Sequence, residues 1–148
     1  MQQLGKCIAS VLPERLTIAL CGNLGAGKTL LSKSISQGLG IPEEVVTSPT
    51  FVLIQEYYGS RNIAHCDTYR LRSSEDLLDL GIEEYFEGDW ICLVEWADRV
   101  EDILPEEFLK ISIEHRGETS RSVTFEGHGE VAQSVISQVL AQSQMGAE

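Results

Sequence analysis

The sequence predicts an α/β fold: a mostly parallel central sheet with helices on both faces and an antiparallel distal part. Three observations carry this. Residues Gly22-Asn23-Leu24-Gly25-Ala26-Gly27-Lys28-Thr29 read G-x-x-x-x-G-K-T. This stretch directly follows an apolar, β-prone run, Leu16 to Cys21, and directly precedes a helix-like run, Leu30 to Gln37. Downstream, the apolar runs Ile63 to Cys66 and Ile91 to Val94 each end in a carboxylate, Asp67 and Glu95. Strand, glycine loop and helix form the context a phosphate-binding P-loop requires, so the expected fold is that of a P-loop NTPase.

The elements follow in order. Leu4, Ile8 and Leu12 share one face of a helix over residues 1–12. Residues 15–21 form the first strand. Residues 28–39 form the P-loop helix, with Leu30, Leu31, Ile35 and Leu39 at helical spacing and Gly40-Ile41-Pro42 ending it. Residues 43–50 form a loop containing Thr47-Ser48-Pro49-Thr50. Phe51 to Tyr58 and Asn62 to Asp67 read as two strands of an antiparallel hairpin around a Gly59-Ser60-Arg61-Asn62 turn. Ser73-Ser74-Glu75-Asp76 begins a short helix with N-capping residues, and Gly81 ends it. A second helical piece covers Glu83–Phe86. Trp90 to Val94 reads as a buried strand, and Ala97 to Ile103 as a polar helix or turn. Phe108 to His115 alternates, with Leu109, Ile111 and Ile113 facing one way, and Ser122–Glu126 is a last strand. Residues 130–143 form a terminal helix with a stripe of Val131, Val135, Ile136, Val139 and Leu140, fraying from Gln142.

A chain of 148 residues with 43% hydrophobic content fits a single domain over 1–148, with a helical C-terminal tail at about 130–148. No apolar run approaches the ~20 residues of a membrane span. The N-terminus lacks the features of a secretory signal. Four scattered cysteines without a C-x-x-C pair read as free thiols in a reducing cytosol, so the expected location is cytoplasmic. A net charge of −12 argues against direct binding to DNA or RNA and allows a basic protein partner, although solubility alone accounts for it equally well.

The glycine loop carries the chemistry. Its backbone N–H groups wrap phosphate oxygens, and the following helix N-terminus adds partial positive charge at the same place. Lys28 would reach the β- and γ-phosphates, and the Thr29 hydroxyl would hold Mg²⁺. Acidic groups are needed to hold the metal and activate an attacking group, and Glu95 and Asp67 stand at strand ends where this fold places them. Each is otherwise an ordinary acidic residue at a strand-to-loop junction. Thr50 and its loop suit a switch closing over the γ-phosphate, or a proline turn entering a strand. Trp96, beside Glu95, sits at the rim of such a site or packs against the next helix. His65, His115 and His128 share no metal-ligand spacing. No Asn-Lys-x-Asp segment is present, which favours ATP over GTP.

The residues resemble the TsaE (YjeE) family of small bacterial P-loop ATPases. Over about residues 4–125, Gly22 to Thr29, Ser48-Pro49-Thr50-Phe51, His65-x-Asp67-x-Tyr69-Arg70-Leu71, Leu80-Gly81 and Val94-Glu95-Trp96 with Pro105 downstream occur in that family's order and spacing. The resemblance implies Mg²⁺-dependent ATP binding and hydrolysis. It implies service to the machinery making N6-threonylcarbamoyladenosine at tRNA position 37, beside a TsaB–TsaD complex whose TsaD performs the transfer. It also implies that Lys28 and Thr29 serve phosphate and metal, and that Glu95 holds Mg²⁺ directly or through water. Asp67 orients the attacking water or the metal shell, Thr50 acts as a switch, and Trp96 lies beside the nucleotide. Gly22 to Leu30 together with Trp96 are the expected nucleotide contacts, with Thr29 and Glu95 at the metal.

Departures from the family pattern are Asn23 in place of Asp, and Leu30 where a second Thr is frequent, which leaves its backbone N–H for the α-phosphate. The chain also begins close to the Leu-Gly of a Glu-Thr-x-x-Leu-Gly lead-in, so a segment lying near the adenine is expected to be missing or shortened. No cis arginine finger stands out; Arg70 and Arg72 are nearest to that role, and Arg70 equally suits a structural ion pair. The expected protein is a slow ATPase stimulated by a partner, with tRNA met only within the complex and no membrane or DNA partner. A small-molecule kinase and a non-catalytic ATP-sensing module are the alternatives.

Overall fold

All six residues from Leu16 to Cys21 are buried, as a strand covered on both faces must be. They form β1 (Leu16–Gly22), and the computed structural model places it inside a six-stranded sheet of order β2-β3-β4-β1-β5-β6. The structure describes residues 1–23, 25–46 and 53–146. β3 (Asn62–Asp67), β4 (Ile91–Glu95), β1 and β5 (Phe108–His115) run parallel. β2 (Ile54–Tyr58) and β6 (Arg121–His128) close the two edges as antiparallel neighbours of β3 and β5. The expected parallel sheet with an antiparallel part is therefore present, as is the expected β2–β3 hairpin.

Alternation along the strands builds two cores. Ile18, Leu20, Ile91, Leu93, Leu109, Ile111 and Ile113 point to a face covered by α1 (Gln2–Ser10), α2 (Lys28–Gly38) and α5 (Glu130–Gly146). Ala19, Cys21, Cys66 and Val94 point to the opposite face, against Leu77 of α3 (Ser74–Asp79) and Ile82 of α4 (Ile82–Glu87). α1 and α2 approach unusually closely. A Cβ on Gly5 would lie 2.2 Å from the Ser34 Cβ, and one on Gly38 would lie 2.5 Å from the Ala9 Cβ. Small residues four apart on each helix permit that contact.

Several local expectations need correction. Among the described residues of α5 the buried ones are Ala132, Val135 and Val139, with Ile136 partly buried; Val131 is 41% and Leu140 48% exposed. At 100° per residue, Val131 and Leu140 fall on opposite flanks of the buried stripe. The helix also continues to Gly146. Ser73 stands at the start of α3 without a side-chain cap bond, and the Ser74 hydroxyl donates instead to Asp102. Residues 97–103, expected as a polar helix or turn, do form two short 3₁₀ turns, Ala97–Arg99 and Glu101–Ile103. Of the strand expected over Phe51 to Tyr58, Phe51 and Val52 lie outside the described residues and β2 runs from Ile54 to Tyr58. Cys7, Cys21, Cys66 and Cys92 are free thiols. Among the described residues no helix is long and apolar enough to cross a membrane.

Candidate functional site

The loop between β1 and α2 is shaped by glycine geometry. Gly22 has φ 151°, and a Cβ there would stand 2.5 Å from the Ile113 carbonyl oxygen. Gly27, with φ 119°, is the N-cap of α2, and no side chain caps that end. Among the described residues the N–H groups of Lys28, Thr29 and Leu30 therefore lack the carbonyl partners that later turns enjoy. A Cβ on Gly25 would meet nothing within 4 Å, so the loop opens to solvent. Unpaired donors at a helix N-terminus with open space in front suit a phosphate. Leu24 lies outside the described residues, and the Leu30 side chain is 46% exposed.

Lys28 folds back over its own loop. Its Nζ donates to the Gly22 carbonyl at 2.6 Å and the Asn23 carbonyl at 2.9 Å, and lies 3.9 Å from the centre of the Trp96 ring. Burial pushes its ammonium below the ordinary lysine value, an effect opposed by the carboxylates of Glu95, Asp67 and Asp98.

β-sheet register sets the two carboxylates side by side. Glu95 is opposite Leu20 on β1 and Asp67 on β3. Glu95 shares the face of Leu93, the α2 side, and there the Thr29 hydroxyl donates to its Oε1 at 2.9 Å. Its Oε2 lies 2.5 Å from His65 Nε2. Asp67 Oδ1 accepts the Tyr69 N–H at 2.9 Å. Burial raises the Asp67 carboxyl above its ordinary value; the Tyr69 N–H opposes this and the Glu95 charge reinforces it. A hydroxyl and a carboxylate in contact, with a second carboxylate adjacent, are the hard oxygen donors that Mg²⁺ prefers. Among the described residues no cluster of three or more His, Cys, Asp or Glu could hold a metal. A cation here would thus draw on Thr29 and Glu95 and complete its shell with phosphate and water, as Mg²⁺ commonly does.

Trp96 is the one non-glycine residue with positive φ (60°) among those described. An aromatic residue held there costs about 1–2 kcal/mol. Thr68 holds the turn, its hydroxyl donating to the Glu95 carbonyl at 3.0 Å and the Trp96 carbonyl at 2.8 Å. The Tyr69 ring lies 4.9 Å from Trp96, and Arg99 donates to the Tyr69 carbonyl. Trp96 is thus half-buried over Lys28, at the rim of the loop.

The structure brings together Gly22, Asn23, Gly25, Ala26, Gly27, Lys28, Thr29, Asp67, Glu95 and Trp96. Thr50 lies outside the described residues. Arg72 pairs with Asp76 at 3.4 Å, and Arg70 is exposed. Two contributors escaped the sequence reading. His65 contacts Glu95 across neighbouring strands, a pairing that only the register reveals. Arg121, on β6, donates from Nε to the Ala26 carbonyl at 3.1 Å. It helps line a cavity of about 570 Å³ beside the loop, together with Met1, Leu4, Gly27, Leu30 and Val123.

A model of the family described as threonylcarbamoyl adenosine biosynthesis protein TsaE matches residues 1–123. A tRNA threonylcarbamoyladenosine biosynthesis protein TsaE from Bacillus subtilis is 45% identical over 113 residues, covering 76% of this chain and 70% of that protein. One of the same name from Treponema pallidum is 41% identical over 120 residues, covering 81% and 88%. The crystal structure of Bacillus subtilis YdiB superposes with a TM-score of 0.80 at 34% identity, covering 96% of this chain and 88% of that one.

Proposed function

The chain belongs to the TsaE family, and from that membership we propose that it is a Mg²⁺-dependent ATPase of tRNA threonylcarbamoyladenosine biosynthesis. We place it in the cytosol, beside a TsaB–TsaD-type threonylcarbamoyl transferase complex. The observation that carries the reading is the contact between Thr29 Oγ1 and Glu95 Oε1, 2.9 Å, directly below an uncapped glycine-rich helix N-terminus. Metal donors and phosphate donors then face one point.

The α2 N–H groups and Lys28 bind the phosphates of ATP and stabilise negative charge as the γ-phosphoryl group departs. Lys28 must first exchange the Gly22 and Asn23 carbonyls for phosphate oxygens. Mg²⁺, when bound, neutralises phosphate charge. Asp67, held by the Tyr69 N–H, orients the attacking water and accepts a hydrogen bond from it. Burial raises its proton affinity, which strengthens it as an acceptor in that bond. The cavity lined by Met1, Leu4, Leu30 and Arg121 is large enough for a nucleoside. Arg72 pairs with Asp76 and Arg121 donates to the Ala26 carbonyl, so neither stands ready to supply charge to the transition state. Turnover is therefore slow alone and rises when a partner completes the site. With a net charge of −12, tRNA is met through that partner and not independently.

Phosphate release from ATP, with and without a TsaB–TsaD pair, tests this for the wild type and Lys28→Ala. Stimulation by the pair that Lys28→Ala abolishes is expected. Several turnovers per second by the isolated protein would contradict the need for a partner. Binding of ATP without hydrolysis in either setting would point to a sensing module, and phosphate transfer to an added small acceptor would point to a kinase.

A further inference from the structure

We propose that His65 is a positioning residue for Glu95, fixing the carboxylate so that one oxygen stays on Thr29 where the metal is received. The inference rests on the Mg²⁺–ATP reading of the site. His65 is fully buried and Glu95 is 2% exposed, so neither is oriented by solvent. On β3, His65 is opposite Leu93 of β4, two residues before Glu95 and on the same face. The ring therefore reaches diagonally along the sheet, and its Nε2 meets Oε2 at 2.5 Å while Oε1 accepts from Thr29 at 2.9 Å. Both carboxylate oxygens are thereby assigned: one to the histidine, the other to the threonine. A carboxylate with one oxygen fixed can rotate only by breaking that bond.

The line continues outward. His65 Nδ1 lies 3.5 Å from the Tyr57 hydroxyl, and that hydroxyl also bonds the Gln55 side chain. The ring is thus held at Nε2 by Glu95 and flanked at Nδ1 by a hydroxyl that is itself fixed on Gln55, and outer groups of this kind orient a metal ligand. Gln55 and Tyr57 belong to edge strand β2, and Gln55 is opposite His65 in the hairpin register. The hairpin that begins four residues after Thr50 therefore supports the carboxylate that faces the P-loop helix. A buried imidazole needs a hydrogen-bond partner, and here that partner is the same carboxylate that accepts from Thr29.

Loss of such an outer partner lowers metal affinity about 10- to 100-fold. The test measures the Mg²⁺ concentration that half-maximally tightens binding of a fluorescent ATP analogue, for the wild type, His65→Leu and His65→Gln. Gln places an amide N–H close to the position of Nε2. His65→Leu is expected to need at least tenfold more Mg²⁺, with binding in the absence of Mg²⁺ unchanged, and His65→Gln to recover most of the loss. A folded His65→Leu protein with wild-type Mg²⁺ dependence overturns the proposal, as does a Gln variant as impaired as Leu. Absence of any Mg²⁺-dependent tightening in the wild type would instead sink the Mg²⁺–ATP reading, and this inference with it. If His65→Leu does not fold, ¹⁵N-histidine spectra of the wild-type protein decide, since the chain has only three histidines. A buried, slowly exchanging Nε2–H that shifts when Mg²⁺ is added to the nucleotide complex supports the proposal. One that stays in place overturns it.

Discussion

Gly5→Ala would ordinarily stabilise a helix, because alanine is favoured over glycine by about 1 kcal/mol in a helix interior. In α1 the opposite is expected. The new Cβ would lie 2.2 Å from the Ser34 Cβ, 2.8 Å from the Ser34 carbonyl carbon and 2.9 Å from the Ile35 nitrogen. Two of these three are backbone atoms of α2, so no rotamer change relieves them and the helices must separate. Overpacking of a well-filled core costs about 1–3 kcal/mol, and rigid backbone neighbours place this case at about 3. Subtracting the propensity gain leaves a net loss of about 2 kcal/mol. For a domain of this size each kcal/mol moves the midpoint by about 2–4 °C, so Tm should fall by about 4–8 °C. Thermal unfolding followed by circular dichroism measures this directly. An increase in Tm would refute the close contact of α1 with α2. Gly38→Ala offers a control on the same interface: its nearest obstacle is the Ala9 Cβ at 2.5 Å, with the next atom at 3.4 Å. Ala9→Gly should therefore relieve Gly38→Ala more completely than Ser34→Gly relieves Gly5→Ala.

Three further outcomes follow from the site and core. Asp67 has its proton affinity raised by burial, so the folded state favours its protonated form. That contribution is fully present below the ordinary value of 3.8 and is lost as pH rises through the higher folded value. Asp67→Asn should thus be more stable than wild type at pH 7, with the difference vanishing towards pH 3 in denaturant titrations, while phosphate release falls; equal stability at pH 7 would argue against the burial effect. In a Trp90→Phe variant, fluorescence comes from Trp96 alone, since the chain has two tryptophans. Nucleotide that draws Lys28 off the Trp96 ring should change that emission, and an unchanged spectrum with nucleotide bound would mean that Lys28 stays in place. Burial pushes the Cys66 and Cys92 thiols up to about 12 and raises Cys21 as well. A thiol reagent should therefore modify Cys7 alone in the native protein and all four cysteines in denaturant, and a second fast-reacting native thiol would contradict the buried placement.

How far the molecule could be read from its chain depends on the range of the interactions involved. β1 and α2 were legible because an apolar run, a glycine loop and a helical stripe are local patterns. The β2–β3 hairpin was legible for the same reason, its turn being rich in Gly and Asn. Lys28 and Thr29 came with the loop, and Glu95 and Asp67 came from the rule that acidic groups cluster at strand ends. The contact of His65 with Glu95 was not legible, because it depends on which residue of β3 stands opposite which residue of β4. Arg121 was missed because it reaches Ala26 across 95 positions, from a strand on the far edge of the β5 hairpin. The α5 stripe was drawn too wide, since valine and leucine on its flanks look the same in the sequence as those at its centre.

The position of β1 bears on how the protein is made. This strand is early in the chain yet lies between β4 and β5, paired with residues 91–95 on one side and 108–113 on the other. A ribosome synthesising from the N-terminus exposes the glycine loop long before it supplies either neighbour. The β2–β3 and β5–β6 hairpins close from nearby residues, but β1 has no partner until β4 has emerged and no second partner until β5 follows. Long-range parallel pairing of this kind is slow. The glycine-loop site is consequently among the last features to acquire its shape, and a nascent chain halted before residue 108 would carry the complete loop sequence on a strand still bare along one edge.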